Sequence, residues 1–292
     1  MPYSPIAATR EFAVQHPTGR RIQAYEAGDP TGELVIMHHG TPGSGTIYRP
    51  WADDALARGI RLVAYDRPGF GGSDEDPGRS VARVASDTAA VADALGVEKF
   101  RCWGPSGGGP HALACAALLP DRVVAVAAVA SLAPWDAPGL DWLNGMGATN
   151  ADGFVIASES VQALRERLER SVADDHAESF ESISPAVDVQ LLEGEIGTWI
   201  SAAMARGLTH GIEGWIDDLL AFVRDWEFDV ESITAPTLVL HGRQDLSVPV
   251  AHGEWLADRI PGATRLITGD GHASAVLRIG ADVHAWLMAQ PA

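Results

Sequence analysis

Short apolar runs alternate with amphipathic stretches of helical period over the first 130 or so residues and again over the last 60. Residues 10–15 and 21–26 are strand-like segments around a turn at Pro17, Thr18 and Gly19, which predicts a hairpin. An apolar run at 34–38 ends in Gly40, and the period then changes to that of a helix over 48–58. A strand at 61–65, a helix over 80–95 and a strand at 100–103 follow. The run at 123–130 is continuously apolar, as expected of a strand covered on both faces. Short strands separated by helices imply right-handed crossovers, hence an α/β fold with a mostly parallel central sheet flanked by helices.

The alternation lapses after residue 133 and resumes with a strand at 236–241, a helix over 250–259, a strand at 264–268 and a last helix over about 273–288. Within the gap, 161–173 has the clearest helical pattern, and 195–206 and 212–223 are further helix candidates. The expected organisation is therefore one core made of 1–133 and 232–292, interrupted by a helical insertion at 134–231. A chain of 292 residues is long enough for such a body and a subdomain.

Composition narrows the function classes. With 46% hydrophobic and 21% charged residues, the chain can bury a sizeable core. Its formal net charge of −18 argues against nucleic acid or an anionic membrane surface as partner. The insertion carries 20 of the 39 acidic residues and only 5 of the 21 basic ones, so most of the excess sits there. The N-terminal residues lack the basic start and apolar run of a secretory signal, and no apolar stretch approaches membrane-spanning length, so a cytoplasmic location is expected. Cys102 and Cys115 are too few for a disulfide framework and lack a metal-ligand spacing; both read as buried apolar residues.

The chemistry concentrates in four loops. Gly104-Pro105-Ser106-Gly107-Gly108 follows an apolar strand and precedes a helix through His111, the context in which a G-x-S-x-G segment presents its serine on a tight turn. A helix N-terminus there aims backbone N–H groups at a developing oxyanion. The competing reading is a phosphate-binding turn, weakened because no lysine follows the glycines. A nucleophilic serine needs a base, and the base a carboxylate that fixes its tautomer. His272, in Gly269-Asp270-Gly271-His272 after the last strand, and Asp245, after the strand at 236–241, lie at the carboxyl end of a parallel sheet, where α/β sites form. Asp136 and Asp270 are the rivals of Asp245; His111, His241, His252 and His284 lie on predicted helices or a strand end and not in a loop after the last strand.

Together with His39-Gly40-Thr41-Pro42-Gly43, the loop from Asp66 to Ser73 (DRPGFGGS) and the segment from His241 to Pro249 (HGRQDLSVP), these residues resemble the α/β-hydrolase superfamily. The motifs of that family read HGxPG, DxxGxGxS and HGxxDxxVP. The resemblance implies Ser106 as nucleophile, His272 as general base, Asp245 as its orienting carboxylate, and the backbone N–H groups of Thr41 and Gly107 as the oxyanion hole. It leaves His39 and Asp66 structural and implies no metal and no organic cofactor. The insertion is similar to the helical cap of many relatives, with Trp135, Trp142, Trp199 and Trp215 able either to line a pocket or to pack the cap onto the body. The leading expectation is hydrolysis of a small-molecule ester or lactone. Alternatives on the same machinery are an aminopeptidase similar to the proline iminopeptidases, a carbon–carbon bond hydrolase, a perhydrolase-type enzyme and a non-enzymatic small-molecule receptor. For the aminopeptidase, Glu193, Glu195, Glu213, Asp217 and Asp218 would hold a substrate amine; its usual HGGPG reads HGTPG here.

Overall fold

The computed structural model describes residues 4–173 and 183–291. Eight strands form one sheet: β1 (Arg10–Gln15), β2 (Arg21–Gly28), β3 (Glu33–His38), β4 (Ile60–Tyr65), β5 (Phe100–Pro105), β6 (Val123–Val129), β7 (Thr237–Gly242) and β8 (Thr264–Thr268). They lie side by side in the order β1-β2-β4-β3-β5-β6-β7-β8. β1 and β2 pair antiparallel at one edge, and every pairing from β4 through β8 is parallel.

Alternation within the strands divides the core into two layers. Leu34, Ile36, Cys102, Val126 and Ala128 face one side, whereas Val35, Met37, Trp103, Ala125 and Ala127 face the other. Helices α2 (Val84–Ala94) and α3 (Gly108–Leu118) cover the first side, and α1 (Arg49–Ala57) and the C-terminal helices cover the second. Covering on both faces is what permits β5 and β6 to be almost wholly apolar.

Between β6 and β7 the chain leaves the sheet and builds α4 (Ala148–Glu159), α5 (Val161–Ala173), α6 (Ala186–Leu192), α7 (Glu195–Gly207) and α8 (Glu213–Phe222). Leu164, Leu168, Ile212, Ile216 and Leu220 give α5 and α8 a small core of their own. Trp199 of α7 stacks on Trp51 of α1 with ring centroids 4.8 Å apart, and Trp51 in turn meets Trp103 of β5 at 5.3 Å. Gly207, at the end of α7, lies so close to the loop after β3 that a Cβ would come 2.0 Å from the Gly43 carbonyl oxygen.

Two helices in this region, α4 and α6, were not expected. α4 buries only Phe154 and Ala157 and α6 spans only seven residues, so neither shows a sustained apolar stripe. The last helix departs from expectation in another way. It is broken into α10 (His272–Leu277), a π-helical turn (Ile279–His284) and α11 (Ala285–Met288), after α9 (Val250–Arg259). The wide turn sets Gly280 against Asp54 of α1 and lets His284 Nδ1 reach Asp54 Oδ2 at 2.9 Å. Among the described residues, no helix is long and apolar enough to cross a membrane.

Because β3, β5, β7 and β8 run parallel, the loops that follow them emerge at one edge of the sheet. Trp51 is the side chain shared by α1, the sheet and the insertion, and it is 1% exposed. We expect Trp51→Ala to cost about 3–5 kcal/mol of unfolding free energy, measured by chemical denaturation; a loss under ~1 kcal/mol would show that the three-way contact contributes little.

Candidate active site

Ser106 sits directly after β5 with φ of 53°, a left-handed conformation that a non-glycine residue adopts only when its surroundings enforce it. Those surroundings are explicit. Its N–H donates to the Val129 carbonyl at 2.8 Å, and its own carbonyl accepts from Gly109 N–H at 2.9 Å. The chain turns so sharply that a Cβ on Gly104 would lie 2.1 Å from the Gly108 oxygen, and one on Gly108 2.1 Å from the His38 oxygen. Glycine at both positions is what the turn requires.

On the far side of the sheet's switch point, His272 opens α10 and its Nδ1 lies 2.7 Å from Asp245 Oδ2. Asp245 is 3% exposed, and its other oxygen accepts from the N–H groups of Ser247 and Val248, each at 2.8 Å. Burial alone would raise its pKa, but His272 and His241 hold the carboxyl well below its usual range. Burial lowers the basicity of His272, and the adjacent Asp245 charge more than compensates, so its pKa stands above 6.5. With the Nδ1 proton donated to Asp245, Nε2 is left as the acceptor. No hydrogen bond joins Ser106 Oγ to His272 among the described residues; both line the same cavity.

The rival acids lie elsewhere. Asp136 is exposed and does not line the cavity, and Asp270 pairs with Arg278. The other histidines have their own partners: His241 Nε2 reaches the Val248 carbonyl at 2.8 Å, His252 bridges Ala133 N–H and the Trp142 carbonyl, and His284 pairs with Asp54. His39 Nε2 accepts from Arg67 N–H at 3.1 Å, and burial keeps its ring neutral. Asp66 accepts from Gly45 N–H, Gly72 N–H and the Tyr25 hydroxyl, which ties the loop after β4 to its neighbours.

Thr41 and Gly107 are in contact distance of one another: a Cβ on Gly107 would lie 2.4 Å from Thr41 Oγ1. Neither backbone N–H donates to an acceptor among the described residues, and both residues line the cavity. What holds the Thr41 loop is a buried ionic cluster that the sequence pattern did not reveal. Asp218 of α8 is wholly buried; it accepts from Arg67 at 2.6 Å and Arg79 at 2.5 Å, and accepts a hydrogen bond from the Thr41 hydroxyl as well. Arg67 also donates to the His39 and Gly40 carbonyls and to Thr41 Oγ1 at 2.9 Å. His111 lies 3.5 Å from Asp218, and burial, with help from Arg67, drops its pKa to about 3, so the positive charge facing Asp218 comes from the two guanidinium groups. A pair separated by 151 residues carries no local sequence signal.

The cavity measures about 1040 Å³ and is walled by the loops after β3 and β5, by His272, and by side chains of the insertion, including Phe154, Leu168, Trp199, Trp215 and Phe222. Of Trp135, Trp142, Trp199 and Trp215, Trp199 and Trp215 reach it. Trp142 is a packing residue, donating to the Ala133 carbonyl at 2.9 Å and stacking on Phe154 and His252, and Trp135 stacks on Trp142.

A family profile described as "alpha/beta hydrolase fold" matches residues 33–277, which span all four of these loops. The chain belongs to the α/β-hydrolase family. Among curated relatives, it is 28% identical over 267 residues to a non-heme chloroperoxidase of Burkholderia pyrrocinia, covering 88% of this chain and 90% of that one. It is 29% identical over 229 residues to the bifunctional esterase/perhydrolase DCH of Acinetobacter calcoaceticus, covering 76% and 78%. Among solved structures, bromoperoxidase from Bacillus anthracis superposes with a TM-score of 0.71 at 23% identity, over 96% of this chain and 99% of that one, which is a likeness of fold. As an α/β-hydrolase, the protein is an enzyme of the hydrolase class, for which a small-molecule substrate fits.

Removing Asp218 leaves two guanidinium groups buried without their counter-charge. We expect Asp218→Ala to cost about 3–5 kcal/mol of stability by denaturant titration, far more than an exposed-pair control such as Arg259→Ala, for which about 0–1 kcal/mol is expected. Equal losses in the two variants would mean that the cluster does not hold insertion and body together.

Proposed function

We propose that this α/β-hydrolase is a cofactor-independent serine hydrolase that cleaves a small carboxylic ester or lactone through an acyl-enzyme. The observation that carries the reading is the strained Ser106 turn opening into the same cavity as the bonded His272–Asp245 pair and two unengaged backbone N–H groups. Ser106 Oγ attacks the carbonyl carbon while His272 Nε2 takes its proton, and Asp245 stabilises the imidazolium. The Thr41 and Gly107 amides receive the negative charge of the tetrahedral oxygen, each such donor being worth on the order of 3 kcal/mol. The same histidine returns the proton to the leaving alkoxide, and water then releases the acyl group by the reverse sequence. In this reading residues 134–231 act as a cap over a body formed by 1–133 and 232–292, and the protein works in the cytoplasm, consistent with two buried, unpaired cysteines.

The aminopeptidase alternative loses its motive in the cavity wall. None of Glu193, Glu195, Glu213, Asp217 and Asp218 lines the cavity. Glu213 is paired with Arg165 at 2.7 Å, Asp217 accepts from Gly78 N–H, and Asp218 is consumed by its two arginines. Among the described residues, the insertion's charged groups in the wall are Arg167, Arg170 and Asp188. A perhydrolase activity on the same triad keeps support from the relative named an esterase/perhydrolase.

Two measurements test the proposal. Ser106→Ala should abolish release of p-nitrophenol from short-chain p-nitrophenyl esters with the fold intact, and Asp245→Asn should lower kcat/KM by a factor of about 10⁴ while Asp136→Asn stays near wild type. Retention of most of the rate in Ser106→Ala, or the opposite ranking of the aspartates, overturns it. Because His272 must be neutral to act and its pKa is raised, kcat/KM should fall as pH drops, with a midpoint above 6.5. A pH-independent rate through that range would remove His272 from the role.

A further inference from the structure

The helix that begins at His272 has glycine at its N-cap, so no side chain of its own cap residue satisfies the N–H groups of its first turn. A carboxylate from elsewhere does so. Asp188, on α6 of the insertion, accepts from Ala273 N–H at 2.8 Å through Oδ2, and from Ser274 N–H at 3.0 Å and Ser274 Oγ at 2.6 Å through Oδ1. Ser274 Oγ in turn accepts from Gly271 N–H at 2.8 Å. Asp188 is 1% exposed, and a Cβ on Gly271 would lie 2.5 Å from its Oδ2, so the approach requires glycine there. These bonds bracket His272 on both sides in the chain.

We infer that Asp188 is a positioning residue for the base: by capping the first turn of α10, it fixes the imidazole over the cavity and supplies a second negative charge beside it. This rests on the function proposed above. The inserted helices then do more than cover the cavity, because one of them completes the footing of the group that moves the proton. Among the described residues, the charged groups that face the imidazole are Asp245, bonded to Nδ1, and Asp188. Around them, His241 lies 3.5 Å from Asp245 Oδ2, and Arg278 and Asp270 are paired with each other. Removing the Asp188 charge takes away one of the anions that stabilise imidazolium, so the His272 pKa must fall. A carboxylate that served only to hold the helix would leave that pKa in place.

The test is a comparison of the full-length wild type with Asp188→Asn and Ser274→Ala, on p-nitrophenyl acetate from pH 5 to 9, with His272 titrated in parallel by NMR. In Asp188→Asn, kcat should fall by about tenfold or more with a smaller change in KM, since the misplaced base affects the proton transfer. Its acid limb and the NMR titration of His272 should both move to lower pH, by about half a unit or more. In Ser274→Ala, which keeps the charge and loses the two bonds of the hydroxyl, kcat should fall without that shift. If Asp188→Asn changes only the melting temperature, with kcat and the His272 titration unmoved, the assignment is overturned. Should Asp188→Asn fail to fold, Gly271→Ala takes its place, since its methyl group displaces the carboxylate; an unaltered kcat and titration there would equally overturn it. The NMR arm needs no turnover, so a wild type silent on esters would sink the proposed function while the Asp188 assignment is still decided.

Discussion

The arrangement of the site depends on one strained turn. A serine in the left-handed region between β5 and α3 is held there by a hydrogen bond to β6 and by glycines that let three backbone segments approach to distances no side chain would allow. The cost of that conformation is met by the sheet around it, whose strands β5 and β6 are buried on both faces. Once the turn is fixed, Ser106 and Gly107 are placed relative to the ends of β3, β7 and β8, and the remaining groups need only be brought to it.

They are brought in two different ways. The His272–Asp245 pair is brought together by the sheet, because both residues follow adjacent parallel strands, β8 and β7. The loop that carries Thr41 and the first turn of α10 are secured from outside the sheet, each by a buried aspartate of the insertion: Asp218 through Arg67, and Asp188 directly onto backbone N–H groups. The large negative charge of the insertion is thus not uniform in role. Most of it is exposed, while these two carboxylates are desolvated and fully bonded, which is the condition under which a buried charge can be held at all.

The cavity wall carries a further consequence of that division. Of the carboxylates that seem suited to hold an amine when charge is counted along the chain, Glu213 and Asp218 are in ion pairs and Asp217 accepts from a backbone N–H, and none of them lines the cavity, whose described charged groups from the insertion are Arg167, Arg170 and Asp188. Net charge describes the surface; it does not describe the sign of the field inside a pocket lined by a few selected side chains.

Periodicity and turn residues determined the order of strands and helices in the body, and the motifs around Thr41, Ser106, Asp245 and His272 were legible because each is a local backbone geometry with its own glycine or proline demand. All three of Asp136, Asp245 and Asp270 follow strands, and what set Asp245 apart in the sequence was the resemblance of its segment to the HGxxDxxVP loop. Three things required the folded chain. The break in the last helix follows from the contact of Gly280 and His284 with Asp54, over 200 residues away, and no local propensity encodes it. The helices α4 and α6 bury too narrow a face to show a period. Asp188 and Asp218, finally, look in the sequence like two more acidic residues of a solvated insertion. Only burial, which removes water as their partner, forces each onto a specific donor and so makes it part of the site.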